Sequence, residues 1–424
     1  MTIHKPSNTP DDRPRNTPKD KGFWVLNWAR YLLALYIVLF HTLRMAYPSI
    51  DDTVFKASLG LGNMATSVFF ALSGFLLTHA YVITKNGREI DRRSFLLARF
   101  STLYPLHVAG LFLALIPTLY MFHLQGVSVP TELSGTATRI LGNAELVLAF
   151  LTDLALLNAW NPLYLLFNYP SWSLSALAFF YLLFPIMAPK VYRMKAPLLA
   201  LVLLGIAFLL PGAVADLLHR TDVFTDGLLH RNPIVRLPLF VAGMVCCVVY
   251  ARGDKTARPA VLAGSWLVVL GTVVVGTLLQ MHESKLHVIK NGLYYPASLA
   301  VIWLCISAKP TASSRLKYWG ERLGAASLPM FLLHGPLFQI FLLAEKFVKA
   351  LFATPDYSLG SIVATGRGID QTLDFFMLYV IGLTITCILV QERFVAPLQE
   401  KIRKHQSARK AATAPEATTN VNTG

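Results

Sequence analysis

Arg30 and His41 stand with ten residues between them inside NWARYLLALYIVLFHTLRMAY, a run otherwise poor in charge. Eleven steps of 100° make about three turns, so in a helix the two side chains share one stripe with a rise of about 16 Å. A guanidinium is costly at depth in an apolar helix unless it faces a polar or wet interior. An imidazole there is a ready proton acceptor. Together they suit chemistry in which an anionic ligand is gripped at Arg30 and a proton is taken at His41, inside a shared cavity. Two plainer roles stay open: Arg30 snorkelling to an interface about a turn away, and His41 serving as a polar contact between helices.

Further polar residues gather at the ends of other apolar runs. RRSFLLARFSTLYPLHVAG (92–110) brings Arg92, Arg93 and Arg99 to the start of one run. Guanidinium pairs bidentately with phosphate, so such a cluster suits a phosphorylated ligand; Arg92 and Arg93 also read as ordinary topology signals. FNYPSWSLSALAFFYLLFP (167–185) puts Asn168, Trp172, Ser173 and Ser175 at the mouth of another run; Asn168, Trp172 and Ser173 are substrate-site candidates, and Ser173 also reads as a helix cap. His334 in MFLLHGPL is either a cavity residue or a structural hydrogen-bond partner. No Ser shows a nucleophile elbow or a sequence-adjacent base.

The elements that position these residues are membrane helices. Of 424 residues, 54% are hydrophobic and 14% charged, against about 25% charged in soluble domains, which excludes a water-soluble globule. Apolar runs of spanning length occur at 24–46, 62–83, 95–121, 172–189, 196–215, 234–251, 260–280, 293–308, 326–347 and 373–391. An eleventh candidate, 140–158, would carry Glu145 and Asp153 into hydrocarbon, at roughly 2.5–3.5 kcal/mol for an acid near the centre. With ten spans, the segments on one side hold 25 Lys/Arg and those on the other hold 8. An eleventh span would destroy that asymmetry, so the positive-inside rule predicts ten helices, both termini cytoplasmic, with 122–171 an outer loop containing an amphipathic or re-entrant helix.

The expectation is therefore an all-α polytopic protein with a polar tail over 1–23, a transmembrane domain over 24–400 and a disordered cytoplasmic tail over 401–424, without strands. The first run is full length and lacks a cleavage signature, so it is expected to stay as an anchor. The net charge of +15 is scattered between apolar runs rather than laid on one face, which argues against nucleic acid. Cys246, Cys247, Cys305 and Cys387 all lie in apolar stretches without zinc-ligand spacing, so neither a metal site nor a disulfide framework is expected. Walker and Rossmann glycine patterns are absent.

In its ordered motifs the chain resembles the acyltransferase 3 family of bacterial integral-membrane acyltransferases. Arg30 and His41 match that family's Arg-x10-His signature. The likeness continues through FFALSGFLL (69–77), ARFSTLYPLH (98–107), NYPSWSLS (168–175), RLPLFVAGM (236–244), NGLYYPASLA (291–300), LGAASLPMFLLHGPL (323–337) and ERFVAPL (392–398). The resemblance implies about ten helices in the bacterial inner membrane and an acyl-CoA donor, with no bound cofactor. It also implies transfer of an acetyl or similar group to a hydroxyl, often of a glycan. His41 would act as general base, Arg30 would hold the donor or developing charge, and Arg99, Arg92 and Arg93 would hold the phosphates of CoA. Three positions depart from the pattern: Thr102 where a second Arg is frequent, Leu177 in place of a Glu, and Leu239 at a commonly acidic site. The rival reading is a transporter or flippase that moves an anionic solute along the Arg/His stripe.

Overall fold

In hydrocarbon no water is available to backbone N–H and C=O groups, so long uncharged runs form helices that satisfy themselves. The computed structural model describes residues 23–412 apart from 48, 49, 51, 52, 88, 134, 136, 254–257, 283, 285, 309–311, 355, 356 and 370, and it is helical almost throughout. The helices are α1 (Trp24–His41), α2 (Gly62–Thr78), α3 (Arg92–Gln125), α4 (Asn143–Leu154), α5 (Trp172–Tyr192), α6 (Pro197–Leu217), α7 (Pro233–Arg252), α8 (Pro259–Met281), α9 (Tyr294–Ile306), α10 (Ser314–Ala353), α11 (Phe376–Val390) and α12 (Ala396–Ala412). Shorter helical pieces join them.

Among the described residues nine helical segments are long and apolar enough to cross a membrane, and the tenth expected span is a shorter apolar stretch, Asn291–Ile306. The chain is an all-α polytopic membrane protein. The only α-helix in 140–158 is the twelve-residue α4, too short to span, within the stretch expected to be an outer loop. That loop also carries two short strands, β1 (Ser128–Pro130) and β2 (Thr138–Ile140), paired antiparallel; the expectation of no strands is corrected here. Each strand is three residues long, too short for a period-two pattern to register. The tail over 401–424 was expected to be disordered, but α12 continues to Ala412. Its helix-forming Gln, Glu, Lys, Arg and Ala residues sustain it without apolar periodicity. Residues 413–424 and 1–22 lie outside the described residues.

Helices in lipid gain nothing from excluding water from each other; close packing and interhelical hydrogen bonds must join them. The crossing of α2 and α7 shows the first. A Cβ on Gly74 would lie 2.0 Å from the carbonyl oxygen of Phe240, and one on Gly243 would lie 1.8 Å from that of Ala71. Only glycine at both positions lets these backbones meet. α1 and α10 approach in the same way, with Gly324 against the backbone of Asn27 and Gly320 against Trp28, whose Nε1 donates to the carbonyl of Leu316 at 3.0 Å. These two crossings hold α1, α2 and α10 around the same interior.

The loop over 122–171 is tied down by polar contacts. His107 Nε2 donates to the carbonyl oxygen of Asp153 at 2.8 Å. The Asp153 carboxylate accepts from Asn158 Nδ2 at 2.6 Å and Ser171 Oγ at 3.0 Å. Asp153 is only 1% exposed. Burial pushes its carboxyl up to about 7, opposed by the Ser171 hydrogen bond.

Gly243→Val should abolish the α2–α7 crossing, read as loss of monodisperse protein on size-exclusion chromatography in detergent; a normal yield would show that the backbones part easily. A carboxyl whose folded pKa is raised holds its proton more tightly in the folded state. Stability should therefore fall as pH rises from the unfolded value of about 4 toward 7 and then level off. Asp153→Asn keeps an oxygen acceptor and removes this titration. Thermal unfolding at pH 5 and pH 8 should show a smaller difference in the variant than in the parent protein; equal differences would assign the pH dependence elsewhere.

Candidate functional site

Arg30 and Arg99 come together across a cavity of about 350 Å³ enclosed by α1, α2, α3, α5 and α10. Thr66, Ser73, Thr102, Ser173, Tyr181 and Ser327 supply polar groups, Phe69, Phe70 and Phe331 apolar walls, and Gln391 and Gln399 further amides. No carboxylate is among the described lining residues. Two guanidinium groups around one cavity repel each other, and the cost grows as the dielectric falls. The arrangement is relieved by an anion between them.

Arg99 is held rather than loose. Its Nη2 donates to the Tyr81 hydroxyl at 2.9 Å, and its guanidinium carbon lies 5.3 Å from the centroid of the same ring. Its Nε is buried without a protein partner, leaving an N–H for a ligand. Arg92 and Arg93, by contrast, are exposed in the first turn of α3 and do not line the cavity. Seven residues of helix separate Arg92 from Arg99, about 10 Å of rise. The expected cluster is thus split between a surface pair and one cavity residue.

His41 does not line the cavity with Arg30. It pairs instead with His334, His41 Nδ1 lying 3.0 Å from His334 Nε2 with the rings nearly parallel. His334 stands one turn beyond Phe331 on α10, the two rings 6.2 Å apart, and Phe331 packs against Phe69. Phe331 thus lines the cavity and lies one turn from the histidine pair. The stripe on α1 serves two places, a cationic cavity at Arg30 and a histidine pair at its other end.

Asn168 and Trp172 do not line this cavity. Proline lacks an N–H, so Pro336 leaves the carbonyl of Leu332, four residues earlier in α10, without its helical donor. Asn168 Nδ2 fills that gap at 2.8 Å. Trp172 is packed between Phe70 and His230. Ser173 does line the cavity, but its hydroxyl donates to the Pro170 carbonyl at 2.9 Å, as a residue finishing a turn does.

Several lining residues were not singled out from the sequence. Tyr181 lies one turn after Leu177 on α5, on the same side, and marks where that face points. Gln399 of α12 donates its Nε2 to Thr102 Oγ1 at 2.8 Å, so the position where an Arg was expected by resemblance carries a neutral hydrogen-bonded pair. A second cavity of about 380 Å³ lies toward the other end of α3 and α10, with Tyr120, Tyr169, Gln339, Lys346 and Gln371 in its wall. Gln339 and Lys346 are seven residues apart on α10 and share one face, the only sequence signal for this site.

Residues 23–391 match the acyltransferase 3 family, described as an acyltransferase domain. The chain belongs to that family. It is 35% identical over 158 residues to "Protein 2 in picA locus" of Rhizobium radiobacter, a match covering 36% of this chain and 75% of that protein. It is 33% identical over 168 residues to "Acyltransferase MdmB" of Streptomyces mycarofaciens, covering 38% of each chain. No solved structure matches. Gln399 lies beyond the matched residues, yet it lines the same cavity.

Asn168→Ala should leave the Leu332 carbonyl without a donor inside the bundle, at a cost of ~1–2 kcal/mol. The expected result is a lower melting temperature with substrate KM unchanged. A raised KM at unchanged stability would instead make Asn168 a ligand contact.

Proposed function

We propose that this acyltransferase moves an acyl group, acetyl in the simplest case, from acyl-CoA to a hydroxyl of a carbohydrate or glycan at the opposite membrane face. The observation that carries the reading is the carboxylate-free cavity holding Arg30 and Arg99, in a chain whose His41 lies three turns along the same helix face. The charge bias of the loops puts the Arg end inward, where acyl-CoA is made, and the histidine end outward. A bacterial cytoplasmic membrane is the setting this polarity fits.

Arg99, anchored by Tyr81, and Arg30 bind the phosphates of the donor by charge-assisted hydrogen bonds. Gln399, Gln391 and Thr102 offer neutral donors and acceptors suited to the amides of the pantetheine arm. The arm extends along α1 past Phe69 and Phe331, which must part for the thioester to reach the histidines. The acceptor occupies the second cavity, where Tyr120 and Tyr169 give stacking faces and Gln339 and Gln371 give amides. Lys346 adds a positive charge there.

At the histidine end, the acceptor hydroxyl gives its proton to His41 Nε2 as its oxygen attacks the thioester carbonyl. The C–O bond forms, the C–S bond breaks, and the proton passes from His41 to the departing CoA sulfur. The products are the ester and free CoA. The aromatic pair keeps water from the thioester until the acceptor is present, which limits hydrolysis.

Purified protein in lipid nanodiscs should be thermally stabilised by acetyl-CoA, and Arg30→Ala and Arg99→Ala should each weaken that stabilisation at least ~10-fold in midpoint concentration, the equivalent of about 1.4 kcal/mol. His41→Ala should keep donor binding and lose ~100- to 10,000-fold in transfer rate, followed as CoA thiol release in the presence of acceptor glycan. Undiminished transfer by a correctly inserted His41→Ala protein would remove the general base from this scheme. Solute flux without any response to acetyl-CoA would replace the scheme by transport.

A further inference from the structure

We infer that His334 is a positioning residue that fixes the proton on His41 Nδ1 and thereby leaves the lone pair on His41 Nε2; the inference rests on the general-base role of His41 proposed above. The argument begins at a backbone carbonyl. His334 Nδ1 lies 3.1 Å from the carbonyl oxygen of Met330, one turn earlier in α10. A carbonyl oxygen can only accept, so the hydrogen of this bond belongs to His334 Nδ1. The opposite assignment would set two lone pairs against each other at that distance.

The rest follows link by link. A neutral His334 with its hydrogen on Nδ1 has its lone pair on Nε2. His41 Nδ1 lies 3.0 Å from that atom, so it is the donor and carries a hydrogen. The neutral imidazole of His41 has one hydrogen, and its remaining nitrogen, Nε2, is therefore the basic one. The order is Met330 carbonyl, His334, His41, with every N–H aimed the same way. His334 is 0% exposed, so no solvent competes for its two nitrogens. Tyr379 reinforces the placement from α11, its hydroxyl donating to the backbone oxygen of His334 at 2.8 Å.

This order has two consequences for catalysis. It removes the tautomer of His41 in which Nε2 carries the hydrogen and cannot accept a proton. It also supplies an acceptor for His41 Nδ1–H when Nε2 takes the proton from the acceptor hydroxyl, so the imidazolium is formed with a hydrogen bond already in place. A carboxylate does this in the Ser-His-Asp arrangement, where the wrong tautomer costs roughly 10⁴ in kcat. Here a neutral ring does it inside a bundle where a buried carboxylate is expensive.

The test reads the tautomer directly as well as the rate. In protein labelled with ¹⁵N-histidine, the His41 signals, identified by their loss in His41→Gln, should report a protonated Nδ1 and an unprotonated Nε2. His334→Leu should shift them to a mixture of tautomers and lower kcat by ~10²–10⁴, with the KM for acetyl-CoA unchanged. His334→Gln, whose Oε1 stands near the lost Nε2 and accepts from His41 Nδ1, should restore the signal pattern and much of the rate. His41 signals that are unchanged in a folded His334→Leu protein, or a parent protein protonated at His41 Nε2, would overturn the inference without any reference to activity. Absence of transfer by the parent protein, with the ¹⁵N pattern as expected, would overturn the catalytic reading of His41 and leave the positioning of its ring intact.

Discussion

Like charges held together without a counter-ion are the constraint on which this structure turns. Arg30 comes from α1 and Arg99 from α3, and no described carboxylate lines the cavity they share. Such an arrangement is uphill until something negative arrives, and a bilayer interior screens it poorly. Tyr81 takes part of the burden by hydrogen-bonding Arg99 and presenting its ring to the guanidinium. The remaining demand belongs to the ligand. Under the proposed function, binding of an anionic donor would relieve this strain, and the cation pair would set the sign of what enters.

The frame that maintains the pair is built from contacts that ignore hydrophobicity. Gly74 and Gly243 bring α2 onto α7, and Gly320 and Gly324 bring α10 onto α1. Because lipid tails are as apolar as Leu, these close approaches, with hydrogen bonds such as Asn168 to the Leu332 carbonyl, carry helix association. The same α1–α10 contact that brings Asn27 against Gly324 also brings His41 against His334, about three turns further along α10 and four along α1.

The sequence made the helices legible because each is a long run with one obvious requirement, and it made Arg30, His41 and Arg99 legible because charge is conspicuous against hydrocarbon. It could not reveal which of two faces a polar residue served. Asn168 stands in a family-like motif, yet its amide answers a vacancy created by Pro336, which is 168 positions away in sequence. Gln399 belongs to a stretch whose composition resembles a solvated tail, and only its contact with Thr102 brings it into the cavity. The two strands and the second cavity depend on loop geometry that no periodicity records.

Distance between the cationic cavity and the histidine pair is itself informative. If Arg30 and His41 opened onto one wet channel, water would reach any thioester lodged there, and protons would have a path between the two faces. Phe69 and Phe331 pack against each other in the cavity wall, Phe331 one turn before His334, and His334 is bonded to a backbone carbonyl. The donor proposed above, anchored by its phosphates, would project a thin, flexible arm past two aromatic rings; bulk water and ions would gain no comparable anchor to offset the displacement. Under the proposed scheme, with donor phosphates at Arg30 and Arg99 and His41 as the base, the separation would couple phosphate binding at one end to selective access at the other.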